Sequence, residues 1–352
     1  MIDDFGYINA RVRALKGLLL TARGYEEALG SASLEELVSY LESTPYATAL
    51  GEAMTLKKGI AGVEEGLRRD FHRTIDHLVR IAGGRPRELL TTVLGRWELF
   101  NVKTVLRGLH AGAGLEAIMG SAIPFGRLDE VALQELVRQA DVRSAIDLLV
   151  QWRIPYAAAL RAAYPAYREH GDFHALEVAL DRSFFTTALR GLDRGRADEA
   201  VVAECLSREI DLILLSYALR AVHHGATEPH AGETFIPGGR TVTREVFEKL
   251  CAARTLGEFM AAVPSSSYTA CLEEKVRRYL EFRRLFALER ALSTCFIRGM
   301  VRLMLRDPLS IAFTIGYLWR KVNEITNLRL IARGKYAVLP REEIEALMFS
   351  TE

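Results

Sequence analysis

The sequence, 352 residues long, predicts an all-α protein of three similar helical units in a pseudo-threefold, funnel-like arrangement. Three observations carry that expectation. Strand signals are scarce: there is no sustained period-two alternation of β-branched residues, and no Asn-Gly or Asp-Gly hairpin joins two apolar runs. Apolar residues recur at helical spacing behind capping residues. The chain also repeats itself at a constant offset, the one that separates Glu98 from Asp211.

In chain order, the first strong helix has Leu34, Leu37, Val38 and Leu41 at i, i+3, i+4 and i+7, with Ser33 as N-cap and Glu36 completing a capping box. Segment 66–82 continues the pattern through Leu67, Phe71, Ile75, Leu78 and Ile81, with Gly83-Gly84 as its stop. Segment 273–305 alternates arginines and glutamates with Val276, Leu280, Leu285, Leu288 and Leu292. Prolines 45, 86, 124, 155, 237, 264, 308 and 340 fall mostly at boundaries between such runs, because proline lacks the N–H a helix interior needs.

The repeat is the strongest internal signal. Glu98 stands before Leu106-Arg107 as Asp211 stands before Leu219-Arg220. Ile123-Pro124-Phe125-Gly126-Arg127 is matched by Ile236-Pro237-Gly238-Gly239-Arg240 at the same offset. A Tyr-x-x-x-Leu signature occurs three times, as Tyr46/Leu50, Tyr156/Leu160 and Tyr268/Leu272. That spacing puts both side chains on one helical face, so each tyrosine reads as a packing knob used once per repeat. The ends also match each other: Gly6-Tyr7 and Ala22-Arg23-Gly24 recur, with their separation kept, as Gly316-Tyr317 and Ala332-Arg333-Gly334. Lead helices are expected near 66–82, 180–192 and 286–302. The first tail lacks its lead helix and the last lead helix lacks its full tail, so the two ends are expected to complete one unit. The expected units are 57–165, 166–272, and 1–56 with 273–352. An open solenoid is the alternative, but solenoid periods usually run about 20–50 residues, far shorter than the offset here.

Composition excludes several classes. With 46 basic and 45 acidic side chains the net charge is +1, which lacks the excess that non-specific nucleic-acid binding needs. Apolar residues make up 49% of the chain, too many for a disordered protein. The longest stretch free of charged residues, 259–272, falls well short of the roughly 20 apolar residues a spanning helix needs. Met1-Ile2-Asp3-Asp4 is acidic where a secretory signal is basic, so an intracellular chain is expected. Cys205, Cys251, Cys271 and Cys295 are widely spaced, and the expectation for all four is a buried free thiol.

Catalytic and ligand motifs are missing. No G-x-x-x-x-G-K-[ST] occurs, and Gly238-Gly239 reads as a turn between helices. His72 and His77 are off the i, i+4 face, and His223, His224 and His230 read as solvated loop histidines. No G-x-S-x-G elbow occurs, and Ser265-Ser266-Ser267 reads as a turn. Paired acids at 3–4, 26–27, 35–36, 64–65, 273–274 and 342–343 fit the chain start, helix starts and exposed faces. No catalytic, cofactor-binding or metal residues are expected. One charge feature stands out. From Lys275 to Arg306, nine basic residues (275, 277, 278, 283, 284, 290, 298, 302 and 306) face two acids, Glu281 and Glu289. This run reads as a solvated face or as a contact for an acidic partner surface or lipid headgroups.

Asp4-Phe5-Gly6-Tyr7-Ile8-Asn9-Ala10-Arg11-Val12-Arg13 is similar to an opening, D-F-x-Y-x-N-A-R-V-R, found in the C subunit of the archaeal and bacterial V/A-type rotary ATPases. Asp307-Pro308-Leu309, Lys321, Glu324, Asn327-Leu328-Arg329 and Leu339-Pro340 are similar to that family's closing run. The chain as a whole resembles this family, whose eukaryotic counterpart is the d subunit. In the middle repeats Asn101 is kept while Leu214 takes the matching place, and Arg320 stands before Leu328-Arg329 where an acid is expected. The resemblance implies three helical domains and no catalytic residues. It further implies a socket between the D and F stalk subunits and the membrane proteolipid ring, held peripherally at the cytoplasmic face. The readings that compete with it are a generic helical protein-binding scaffold and an all-α enzyme.

Overall fold

The computed structural model describes residues 5–225, 231–264, 267–282 and 285–349. Among the described residues the chain is helical, and the sole β feature is an isolated bridge between Phe125 and Leu128. The all-α expectation holds. By contacts, the chain falls into two compact units: 1–90 with 297–352, and 91–296.

The first unit begins with α1 (Phe5–Lys16), α2 (Ala22–Gly30), α3 (Leu34–Leu41), α4 (Ala47–Leu56) and α5 (Gly59–Ile81). Helix α6 (Gly84–His110) carries the boundary between Leu90 and Thr91. The second unit continues with α7 (Leu115–Ser121), α8 (Glu130–Val137), α9 (Val142–Gln151), α10 (Ala157–His170), α11 (Phe173–Arg190) and α12 (Ala197–His224). It ends with α13 (Ala231–Thr234), α14 (Arg244–Ala252), α15 (Leu256–Ala262), α16 (Ser267–Phe282) and α17 (Phe286–Leu303), the last crossing back into the first unit at Ile297. Helices α18 (Ile311–Tyr336) and α19 (Arg341–Leu347) complete the first unit.

Local chemistry sets the helix starts. Side chains of Thr21, Ser33, Asp129, Asp141, Asp172, Thr243, Thr255 and Ser310 each accept from a backbone N–H in the first turn, satisfying a donor the helix leaves open. At Ser33 the box forms as read, except that Glu36 reaches the N–H of Ala32 (2.7 Å). Pro165 is an exception to the boundary rule, lying inside α10.

Helix α18 organises the first unit. It is buried on nearly every side, and α1, α2, α3 and α5 pack on it. Burial all round places a helix in the middle of a bundle. The two chain ends meet there: the amide of buried Asn9 donates to Ser310 O (3.0 Å) and accepts from Thr314 Oγ1 (3.1 Å). In the second unit, Leu106, Ile118, Leu133, Leu149, Leu160 and Leu180 join one core built from α6–α11. Each buried leucine contributes about 1.5–3 kcal/mol over leaving it exposed.

The structure corrects the cysteine reading. Cys205 and Cys251 are buried and form no disulfide, but Cys271 on α16 and Cys295 on α17 are joined by one across a Cα–Cα distance of 6.2 Å. Spacing along the chain hid the pair, because two neighbouring helices bring together residues 24 apart. The thiol count therefore carries no argument for a reducing compartment.

Candidate functional site: a polar clasp repeated along the chain

Three acids, Glu98, Asp211 and Glu324, follow one another at equal steps, each on a long helix. Asp211 and Glu324 are buried and Glu98 is half-buried. Each receives the backbone of a connecting segment, and each repeat also seats a Tyr-x-x-x-Leu tyrosine. In the second unit Glu98 accepts from Tyr156 Oη (2.7 Å) and from Arg127 N (3.0 Å). Asp211 accepts from Thr241 N (2.9 Å), Thr241 Oγ1 (2.7 Å) and Val242 N (3.0 Å). Tyr268, the tyrosine of that repeat, donates instead to Arg208 O (3.2 Å). In the first unit Glu324 accepts from Tyr46 Oη (2.5 Å) and from Leu20 N (2.5 Å).

Glycine is required where the turn meets the acid. A Cβ on Gly126 would collide with Glu98 Oε2, and one on Gly239 would lie 2.6 Å from Asp211 Oδ1. The Ile-Pro-x-Gly-Arg turn is thus a cradle of amides already filled by a carboxylate of the same chain. Gly238-Gly239 is a turn, as its sequence suggests, and Asp211 occupies the place an anion would take.

A second pairing accompanies the first. Asn101 donates to Ile123 O (2.6 Å) and accepts from Ile123 N (2.8 Å). Asn327 does the same with Phe349 O (3.0 Å) and Phe349 N (2.7 Å). The step from Asn101 to Asn327 equals that from Ile123 to Phe349, and both are twice the step from Glu98 to Asp211. Leu214 holds the corresponding place on α12 and is buried.

These contacts correct one sequence reading. The third acid is Glu324, one helical turn beyond Arg320. Aligning on Leu328-Arg329 slips the register by one turn, and one turn returns to nearly the same helical face. The signal that finds it is the constant interval itself.

Around Glu324 the clasp carries a full ionic network. Lys321 Nζ reaches Tyr46 Oη (2.8 Å), Asp70 Oδ2 (2.9 Å) and Glu324 Oε1 (3.2 Å), three acceptors for its three protons. Burial, then the charges of Glu324 and Asp70, pushes the Tyr46 hydroxyl well above its ordinary range. Burial and the neighbouring acid do the same at Tyr156, with Glu98, and at Tyr268, with Asp211. All three tyrosines are therefore fixed proton donors, which suits a structural joint and not general-base chemistry.

Glu65 gives a pH-dependent lock in the first unit. Burial acts to raise its pKa, but hydrogen bonds from Arg68 (2.8 Å) and Arg69 (2.6 Å) outweigh it and hold the carboxyl at about 2. A folded-state pKa below the unfolded value adds stability above the unfolded pKa, near 4.5, and loses it as pH falls from there toward 2. Glu65→Gln is expected to be less stable than the parent chain at pH 7, with the gap narrowing as pH drops through that window. Urea midpoints at pH 7, 4 and 2.5 test this, and a gap independent of pH would refute it.

The basic run from Lys275 to Arg306 is not one solvated face. Arg283 and Arg284 lie outside the described residues, as do the side chains of Arg277, Arg278 and Glu281. Arg290 is buried, its guanidinium 5.8 Å from the Phe286 ring. Exposed Arg302 and Arg306 belong to the first unit, beside exposed Leu305 and Leu309. Arg13 donates to Pro308 O (3.3 Å) in the same turn.

An open cleft of about 980 Å³ lies in the second unit, floored by Ala163, Ala166, Ala175 and Ala179. Its two arginines are engaged by the protein itself: Arg182 donates to the carbonyls of Glu233 and Phe235, and Arg220 pairs with Glu289 (2.5 Å). Asp3-Asp4, His230 and Ser265-Ser266 lie outside the described residues. Among the described residues no group of three His, Cys, Asp or Glu could hold a metal ion, and no helix is long and apolar enough to cross a membrane.

Comparison with known proteins gives a consistent answer over the whole chain. Residues 8–347 match the family described as ATP synthase (C/AC39) subunit. The chain is 30% identical over 344 residues to the C subunit of the V-type ATP synthase of Deinococcus radiodurans, covering 98% of this chain and 91% of that one. It is 30% identical over 345 residues to the C subunit of the A-type ATP synthase of Halorubrum lacusprofundi, covering 98% and 97%. With the corresponding A-type protein of Methanocaldococcus jannaschii the identity is 25% over 349 residues, covering 99% and 87%.

Proposed function

The chain belongs to the ATP synthase (C/AC39) subunit family, and from that premise we propose that it is the non-catalytic rotor adaptor of a V/A-type ATPase. In this reading it is a socket that joins the D and F stalk subunits to the membrane proteolipid ring and passes torque between ATP turnover and proton or sodium transport. It sits peripherally at the cytoplasmic face and reaches the membrane through the ring. The observation that carries the reading is the near-complete length of the family match.

The clasps support a mechanical role. Torque must cross the subunit without loosening its helices, and each clasp ties a long helix to a connecting segment far along the chain. Glu324 binds Leu20 and Tyr46, 304 and 278 residues away. Interlocking of this kind stores no chemistry, but it resists shear because a buried polar group has no cheaper partner to move to. Three clasps at one interval also support three homologous helical units around a pseudo-threefold axis, with residues 57–165, 166–272, and 1–56 with 273–352 as the repeats.

The face we assign to the ring is the turn after α17, where Arg302, Arg306 and Arg13 surround exposed Leu305 and Leu309. Charge complementarity of this sort sets association rate and salt sensitivity. Tagged chain drawn from its own solubilised membranes at low salt is expected to bring down ring and stalk subunits, and to lose them at high salt. Reversing Arg302 and Arg306 to glutamate is expected to weaken ring retention about tenfold while leaving helicity and melting temperature unchanged. Recovery of the chain alone at low salt would overturn the adaptor reading in favour of a generic helical scaffold. Full retention by the reversed variant would remove this face from it.

A further inference from the structure

The far end of α18 carries the opposite charge. Helix α18 spans 26 residues, about 38 Å at roughly 1.5 Å per residue. At its C-terminal end pack α2, α3 and α19, which together hold seven glutamates and two arginines. Both arginines are engaged locally, Arg23 with Glu27 (2.9 Å) and Arg341 with Glu26 and Glu345. The last turn of α18 adds Arg333, bound to Glu64 (2.5 Å), and Lys335, bound to Leu29 O (2.6 Å), so acids still outnumber bases there. Glu35, Glu36, Glu342 and Glu343 are exposed. The helix dipole adds its negative end to the same place.

An apolar tip projects from this acidic surround. Tyr336 is 63% exposed and Val338 87%, with Leu339 exposed beside them. Val338 closes the helix in a Schellman turn: its N–H donates to Lys335 O (3.1 Å), and the Leu339 N–H donates to Gly334 O (2.9 Å). The closing residue has φ +54°, the left-handed region that glycine occupies freely and a β-branched residue does not. Such a conformation is strained, and strain of this kind persists where the surroundings or a function hold it. Valine here gains nothing in return within the chain, since its side chain faces water. Exposed apolar groups ringed by charge mark contact surfaces.

We propose that Tyr336, Val338 and Leu339 form the tip of a docking surface for a basic protein segment, one with an apolar recess edged by lysine or arginine. The charge argues against the other occupants. An anionic lipid surface would be repelled by the glutamates, and a second copy meeting the same face would bring Glu35, Glu36, Glu342 and Glu343 against their own copies. The surface lies at the end of α18 remote from the arginine-rich turn, so within the adaptor reading on which this rests the two ends serve partners of opposite charge.

The test places a photo-crosslinking residue at position 338 of the full chain in its native host. Links to a lysine- and arginine-rich segment of another protein are expected, and they should fade as salt rises. Links to lipid, to a second copy, or to nothing would overturn the docking surface. The linked protein also separates the two readings: a basic partner outside the ATP synthase would sustain the surface while overturning the adaptor. Val338→Gly supplies a second arm that cannot fail through misfolding, because it relieves the strained backbone. It is expected to raise the melting temperature by about 2 °C while weakening partner retention about tenfold. Unchanged retention would count against the tip.

Discussion

Replacing Glu324 with alanine is expected to destabilise the chain by about 3–5 kcal/mol, the usual result of breaking a buried ion pair by removing one partner. Glu324 is buried on α18 and accepts from Leu20 N, Tyr46 Oη and Lys321 Nζ. Alanine would leave the Leu20 amide and the Tyr46 hydroxyl without an acceptor and leave Lys321 with Asp70 as its remaining carboxylate. Glu324→Gln should cost less, because its single amide oxygen still accepts from one of the two donors, Tyr46 Oη on Oε1 or Leu20 N on Oε2, while the other bond and the charge are lost. Urea unfolding of both variants reads the order: alanine well below glutamine, and glutamine below the parent. A loss under about 1 kcal/mol for the alanine variant would mean that water enters the site and that the clasp is not a rigid joint.

Asn101→Ala is expected to cost about 3 kcal/mol, since leaving a buried donor and a buried acceptor open costs about 1–3 kcal/mol each. Asn101 is wholly buried, and its side chain satisfies both backbone groups of Ile123. The matching change Asn327→Ala should cost distinctly less, because its pairing with Phe349 is only partly buried. Comparing the two by thermal or urea unfolding tests burial, since both side chains make the same pair of backbone bonds, although Asn327 also meets the Tyr25 hydroxyl. Equal losses would contradict that account.

Leu214 shows why such a site is hard to read from residues alone. The second repeat fills the asparagine place with an apolar side chain, so the residue type does not announce the role. The interval does, because Glu98, Asp211 and Glu324 keep their spacing whatever surrounds them. The helices, by contrast, are plain in the sequence. Ser33 with Glu36, the apolar ladder from Leu67 to Ile81 and the boundary prolines all act within a few residues of themselves, so pattern suffices. Family membership is plain as well, through the opening 4–13 and the run from Asp307 to Pro340.

The order of residues is enough to make this protein all-helical, to build it on a repeat and to place it among the ATP synthase C/AC39 subunits. Those properties follow from periodicity, capping and motif order, which are local or additive along the chain. Packing in three dimensions settled four others. It chose the acid that serves the last clasp, paired Cys271 with Cys295, buried Arg290 and held Val338 out in a strained turn. The physical reason is common to all four. Each depends on which groups meet in space and how much water is left between them, and residues a turn apart on a helix or dozens apart in the chain carry no local mark of that meeting.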